Sequence, residues 1–325
     1  MKEKALGISE IAKDRLFLLV LIVPAMAMLI FTIGIPIVKS IYMSFFDVTL
    51  LRMKSQPWND FANYAAILKD GEFFGALRVT LTYVFFIVSI QFVLGMLLAL
   101  LLNSNIRFKR LFRTLILIPW IVPTIVSALL WMWLFQPQYG LINYVLQQFH
   151  LISGPKDWLT NLDLALPAVI VAALWRQLPF MSTMLLAGMQ GIPDDMYEAA
   201  RIDGANRIQI LLNITLPMLK NNIKTVTLIS IIENFKMFPL FWIMTGGGPL
   251  NSTTTLAIYS YKAAFVQLDL GKGAAIGALW LIIMILISGL YNKLFSIGEE
   301  KPEKTGRRKN RVKPKSKSAK QTVTS

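Results

Sequence analysis

Apolar positions in this chain run in long blocks rather than alternating or recurring with a helical surface period. Six blocks, residues 16–38, 79–102, 114–135, 164–188, 225–244 and 274–295, are long enough to cross a bilayer, which takes roughly 20 mostly apolar residues per helix. Hydrocarbon offers no water to unpaired backbone groups, so the blocks are predicted to be α-helices. The first block is too long for a cleavable signal peptide, and more apolar sequence follows it with no small-residue cleavage site. The expected architecture is an all-α integral membrane protein with six transmembrane helices. A short N-terminus (1–15) precedes the six-span domain (16–295), and a tail (296–325) follows it.

The polar links orient these spans. Lys2, Lys4, Lys13 and Arg15 precede the first span, Arg107, Lys109, Arg110 and Arg113 follow the second, and Arg201, Arg207, Lys220 and Lys224 follow the fourth. The link after span three has only Lys156, and that after span five only Lys262 and Lys272. Excess Lys and Arg marks cytoplasmic loops. Both termini are therefore expected inside, a parity that six spans satisfy.

Hydrophobic residues make up 55% of the 325 and charged residues 16%, and most of the net charge of +15 sits in the stretch of the tail from Lys301 to Lys320. Without apolar periodicity, that tail reads as disordered. Its basic residues are each drawn to anionic lipid by about 1 kcal/mol, a better fit than a nucleic-acid arm. There is no Cys, which removes disulfides, thiolate nucleophiles and Cys-based metal sites. The one histidine, His150, falls in an external link and reads as solvated. A His-based hydrolase or a zinc site finds no support in this inventory. The Lys, Ile and Asn usage suggests the cell membrane of a prokaryote.

One polar stretch stands apart between spans four and five, at residues 193–217. Asp194 is expected as the N-cap of a short helix, with Asp195 and Glu198 near its positive end. That helix is predicted to run to about Asp203, where Gly204 supplies a left-handed turn. A second short helix is predicted over 206–213 with Ile208, Leu211 and Leu212 on one face, and Pro217 suits the first turn of the next. The result is a cytoplasmic helix–turn–helix. Ala199 and Ala200 leave a face of little bulk, and Met196, Tyr197 and Ile202 offer apolar anchors. Read from the residues alone, the loop either docks a partner or rests as an amphipathic helix on lipid.

The spacing of Glu198-Ala199-Ala200, Gly204, Ile214 and Leu216-Pro217 resembles the signature loop of the membrane subunits of binding-protein-dependent ABC importers. All seven positions are met. In that family the loop is the coupling helix seated in a cleft of the ATPase, which implies ATPase-coupling roles for Asp195, Glu198, Ala199, Ala200, Asp203 and Gly204. Met244-Thr245-Gly246-Gly247-Gly248-Pro249 is similar to a loop of the larger maltose-permease subunit type, as are Ile41 to Asp47, Asn63-Tyr64 and Phe73-Phe74. The first external link is shorter than in the larger maltose subunit itself, so contacts made by an extra external domain are not implied. The resemblance implies a second, related permease subunit as heterodimer partner, two ATPase subunits inside, and an external solute-binding protein. That protein would touch Gly246, Gly247, Gly248 and Pro249. It also implies a sugar as cargo, passed inward by alternating access. No cofactor is expected in this chain, with ATP and magnesium bound by the partner ATPase. The glycine triplet is not a phosphate cradle, because no Lys-Ser/Thr follows it and it is expected outside.

Polar groups inside spans usually face a cavity or a partner. Span four holds Arg176 and Gln177, and span five holds Glu233, Asn234 and Lys236, with Pro179 and Pro239 close behind. Broken helices with midplane polar groups are where transporters bind solute, so these five residues are the candidate substrate pathway. Glu233 and Lys236 share a helix face and can pair. Gln91 is a further polar intruder, and Trp120, Trp131 and Trp133 either stack on sugar rings or belong to belts and cores. Rival readings are an ABC permease for another solute, such as a glycerol phosphodiester or an osmolyte, and an ion-driven secondary transporter using Glu233 and Lys236. A membrane-bound enzyme lacks its nucleophile or metal constellation.

Overall fold

The computed structural model describes residues 2–52 and 56–296. Apart from two isolated bridges, Phe46–Trp58 and Thr49–Asp269, its regular structure is helical. The basic tail lies outside the described residues. In chain order the helices are α1 (Lys2–Leu29), α2 (Ile35–Met43), α3 (Ala62–Lys69), α4 (Gly71–Asn103), α5 (Lys109–Ile121), α6 (Thr124–Leu134) and α7 (Leu141–Gln148). There follow α8 (Ala165–Gln190), α9 (Asp194–Ile202), α10 (Arg207–Ile210), α11 (Leu216–Met218), α12 (Lys220–Phe235), α13 (Pro239–Met244), α14 (Leu256–Tyr261) and α15 (Leu270–Ser296).

Four stretches are continuously helical, long and apolar enough to span: Phe17–Met43, Gly71–Asn103, Ala165–Gln190 and Leu270–Phe295. The first is α1 and α2 joined through a π-helical turn, and α1 already begins at Lys2 rather than after residue 15. The third predicted block is not one helix. It divides into α5 and α6, which meet at 93°. Pro123 explains the corner, because it lacks an N–H and pushes Val122 out of the helical region, to φ −64° and ψ 129°. The fifth predicted block is also divided, since α12 stops at Phe235 and Pro239 opens α13. Among the described residues there are thus four helical stretches long and apolar enough to span, or five if the bent pair counts as one.

The core is built around α4 and α8, which pack along each other. Near their middle, Tyr83 and Ile87 meet Val169, Phe235 and Phe241. Toward one end, Met96 and Ala99 pack on Met181, Leu185 and Leu219. By contrast, the first span exposes its apolar side chains along almost its whole length and packs on α15.

The links gather at two ends. Leu50 N–H donates to Leu268 at 2.9 Å and Gly271 N–H to Val48 at 3.0 Å, joining the first link to the last. Asn63 donates to the carbonyls of Ser44 and Phe46, at 2.9 and 3.0 Å, and Tyr64 meets the Ser44 hydroxyl at 2.6 Å. Asp70 caps α4 by accepting from Glu72 N–H at 2.9 Å, and accepts from the Tyr259 hydroxyl at 2.6 Å. At the opposite end, the short link after α4 faces the stretch around α9 and α10 across a cavity of about 1060 Å³.

Candidate functional site

The polar loop folds as two short helices, with local corrections. Pro193, not Asp194, is the N-cap of α9, and Asp194 and Asp195 occupy its first turn. The fixed φ of proline and its missing N–H suit that position, and the carboxylates still lie near the positive helix end. Gly204 takes φ +77°, as its turn requires. Ala205 N–H reaches back to the carbonyl of Ala200 at 2.9 Å. Asn206 then caps α10, accepting from Ile208 and Gln209 N–H at 3.0 and 2.9 Å, while the Gln209 side chain accepts from Asn206 N–H at 2.8 Å. This reciprocal cap was legible as Asn-x-x-Gln and was overlooked. The second helix does not stop near 213. It continues as a π-helical turn, Leu211–Thr215, into α11.

The faces of the loop divide sharply. Ala200 is buried against the chain, and Tyr197 is half-buried with its hydroxyl 3.5 Å from that of Thr215. Tyr197 therefore anchors the loop to its own protein. Ile202 is 85% exposed, and Met196 and Ile208 are exposed as well. Asp195, Glu198, Ala199, Asp203 and Gly204 are also exposed, and no ion pair holds Asp195 or Glu198 among the described residues. The loop's unspent charges and apolar side chains point away from the protein that carries them.

The intramembrane polar residues do the reverse. Asn234, 2% exposed, accepts from the Tyr83 hydroxyl at 2.8 Å and from Gln177 Nε2 at 3.0 Å, and donates to the Ser230 carbonyl at 2.9 Å. Gln91 donates to the Gln177 carbonyl at 2.9 Å and accepts from the Ser230 hydroxyl at 2.7 Å. These buried groups clasp α4, α8 and α12 together beside the break before α13. Two of the five pathway candidates, Gln177 and Asn234, are thus bonded to each other. Glu233 and Lys236 pair at 2.7 Å with both side chains 52% exposed. Arg176 is half-buried, and its Nε finds no partner among the described residues. Tyr83 and Ser230 were missed, although both are polar interruptions of apolar blocks. Trp131 is packed in the core, whereas Trp120 and Trp133 are exposed.

After α13, Gly246 and Gly247 take φ +59° and +89°, forming a tight turn ahead of Gly248 and Pro249. Three threonines brace it. Thr253 donates to the Gly248 carbonyl at 2.7 Å, Thr254 to that of Gly247 at 2.9 Å, and Thr245 meets Thr253 at 2.7 Å. Nothing in hydropathy singled out these hydroxyls, of which those of Thr253 and Thr254 belong to buried residues.

Residues 91–296, which carry the exposed loop and all of the clasp except Tyr83, match the family described as the binding-protein-dependent transport system inner membrane component. The chain belongs to that family. It is a multi-pass inner-membrane permease subunit of an ABC importer, the non-catalytic membrane component of such a system. The permease is 34% identical over 275 residues to the trehalose/maltose transport system permease protein MalF of Thermococcus litoralis, covering 84% of this chain and 92% of the relative. It is 33% identical over 281 residues to the sulfoquinovosyl glycerol transport system permease protein SmoG of Agrobacterium fabrum, covering 86% and 91%. Its fold is similar to that of a bacterial alginate ABC transporter, crystallised with an alginate-pentasaccharide-bound periplasmic protein. The TM-score is 0.75 at 21% identity, over 87% of this permease and 94% of that chain.

Proposed function

We propose that this permease passes a sugar or oligosaccharide from an external solute-binding protein into the cytoplasm of a prokaryote, by alternating access driven by a partner ATPase. The observation that carries the reading is the outward-turned loop at 193–217, with Ile202, Met196 and Glu198 exposed beside the Gly204 turn. A face of that kind, on a short helix fixed to α8 and α12, suits a lever seated in another protein. Asp195, Glu198, Ala199, Ala200, Asp203 and Gly204 would transmit the motion. The cargo assignment draws on the sugar and sugar-derivative systems of the relatives. The external partner draws on the periplasmic protein bound to the alginate transporter.

In this reading the chain crosses six times, counting α5 with α6 as one broken span and α12 with α13 as another, and both termini lie inside. The positive-inside distribution supports that orientation, and so does the gathering of alternate links at opposite ends. A second, related permease covers the apolar face of the first span. The pathway runs past Arg176, Glu233 and Lys236, whose half-exposed charges need an aqueous cavity or a partner at membrane depth. Gln177 and Asn234 set the shape of the break. Gly246 to Pro249 meet the binding protein.

The test is co-purification of the tagged chain with its co-expressed partners, followed by ATPase and uptake assays. Recovery of a second permease and an ATPase, with sugar-dependent hydrolysis lost in Glu198→Lys, is the expected result. A chain that purifies alone and moves solute without ATP would overturn the proposal.

A further inference from the structure

At the end where the glycine loop lies, a cavity of about 690 Å³ opens between the starts of α4 and α8 and the segment after α13. Two cations, Lys262 and Arg78, and one carboxylate, Glu72, line it together with Asn251, Ser252 and Thr254. Lys262 is half-buried on the π-helical turn that follows α14. Its ammonium lies 3.4 Å from Asn251 Oδ1 and 3.4 Å from Thr254 Oγ1, both neutral acceptors at the long limit of a hydrogen bond. No carboxylate pairs with it among the described residues, whereas Lys272 nearby is paired with Asp70 at 3.4 Å. The Ser252 hydroxyl, in the same wall, also finds no partner among those residues. The wall is preformed, because Thr254 is bonded to Gly247, and a Cβ on Gly247 would come within 2.9 Å of Lys262 Nζ. Partly desolvated cations are ordinarily matched by an anion in direct contact, and Glu72 acts on this one only from beyond ion-pair distance.

We propose that the cavity is an entry subsite for an acidic sugar. Lys262 and Arg78 receive its carboxylate, and Glu72, Asn251 and Ser252 take ring hydroxyls. The assignment rests on the sugar-importer reading and its orientation, and adds the charge of the cargo. Lys262 alone could also be satisfied by an acidic side chain of the binding protein. Such a side chain brings no donors for Glu72, whereas a sugar hydroxyl donates to that carboxylate.

The test uses the whole complex, with partner permease and ATPase, in lipid nanodiscs with its lysines reductively 13C-methylated. Glucuronate and glucose are titrated without binding protein. The Lys262 resonance, assigned by its loss in Lys262→Gln, is expected to shift with glucuronate and not with glucose. Calorimetry should show glucuronate affinity reduced about tenfold in Arg78→Gln, the scale of one charge-assisted hydrogen bond, and retained in Lys262→Arg. A Lys262 resonance indifferent to glucuronate, in a complex that still couples ATP to uptake, overturns the subsite alone. A shift seen only on adding ligand-free binding protein also overturns it, by assigning Lys262 to protein docking. Loss of ATP dependence itself would instead count against the importer reading.

Discussion

The clasp around Asn234 and the loop at 193–217 are both polar islands in an apolar chain, and they use their polarity in opposite ways. In the clasp, Tyr83, Gln91, Gln177, Ser230 and Asn234 are buried and satisfy one another across three helices. In the loop, backbone groups are capped locally by Asn206 and Gly204, while Glu198, Asp195 and Ile202 are left exposed. Without water or a spare partner, a buried polar group must find its bonds inside. An exposed group needs none, and is free for another molecule. The first region therefore sets the shape of the permease, and the second is available to be moved.

The contrast can be broken from the loop side first, where the largest effect is expected. Gly204→Pro removes a φ of +77° that proline cannot adopt, and Glu198→Lys reverses an exposed charge. Both should abolish uptake and sugar-stimulated ATP hydrolysis while membrane insertion and thermal stability stay near wild type. Normal uptake in a correctly assembled Gly204→Pro complex would sink the coupling role.

From the clasp side the order of effects reverses. Asn234→Leu strands the Tyr83 hydroxyl and the Gln177 amide in the core, which should cost about 3 kcal/mol from two unpaired buried donors. The measurement is a thermal melt in detergent, and an unchanged melt would mean that the clasp contributes nothing. A smaller effect is expected at the half-exposed Glu233–Lys236 pair, where Glu233→Gln should change stability by less than ~1 kcal/mol. Uptake kinetics then decide its role, since a raised half-saturation constant with unaltered stability places it in the pathway.

The smallest effect lies outside both regions. The Tyr259 hydroxyl, aided by the Glu72 backbone N–H and by Lys272, holds the Asp70 carboxyl below its ordinary pKa against the opposing effect of burial. A lowered folded-state pKa gives stability that is present above the unfolded value and lost as pH falls through the folded one. Melting temperature should therefore decline from about pH 4 downward, and Asp70→Asn, which keeps the cap, should flatten that decline. An identical acid profile in the variant would show that Asp70 is not its source.

Much of this was legible beforehand because its signals are local. Spans two, four and six are continuous apolar blocks, and the loop carries its caps and turn glycine within a few residues. The breaks were only half-visible. Pro123 sits inside an apolar run, and hydropathy averages over the corner it imposes. Pro239 was noticed as a disturbance of span five, but not as the start of a separate helix. Tyr83 and Ser230 were missed because a polar residue in a span announces a partner without naming it.

The residue order by itself determined which stretches are apolar enough to enter lipid, where a turn needs glycine, and which polar loop interrupts the apolar blocks. Each of these depends on interactions within a few residues or with a uniform solvent. Tertiary structure alone decided that Asn234 binds Tyr83 and Gln177, that Tyr197 belongs to its own chain, and that Lys262 faces a cavity without an ion-pair partner among the described residues. Those outcomes depend on which side chains the packing of α4, α8 and α12 brings within hydrogen-bonding distance across separations such as the 151 residues between Tyr83 and Asn234, and no local pattern records that geometry.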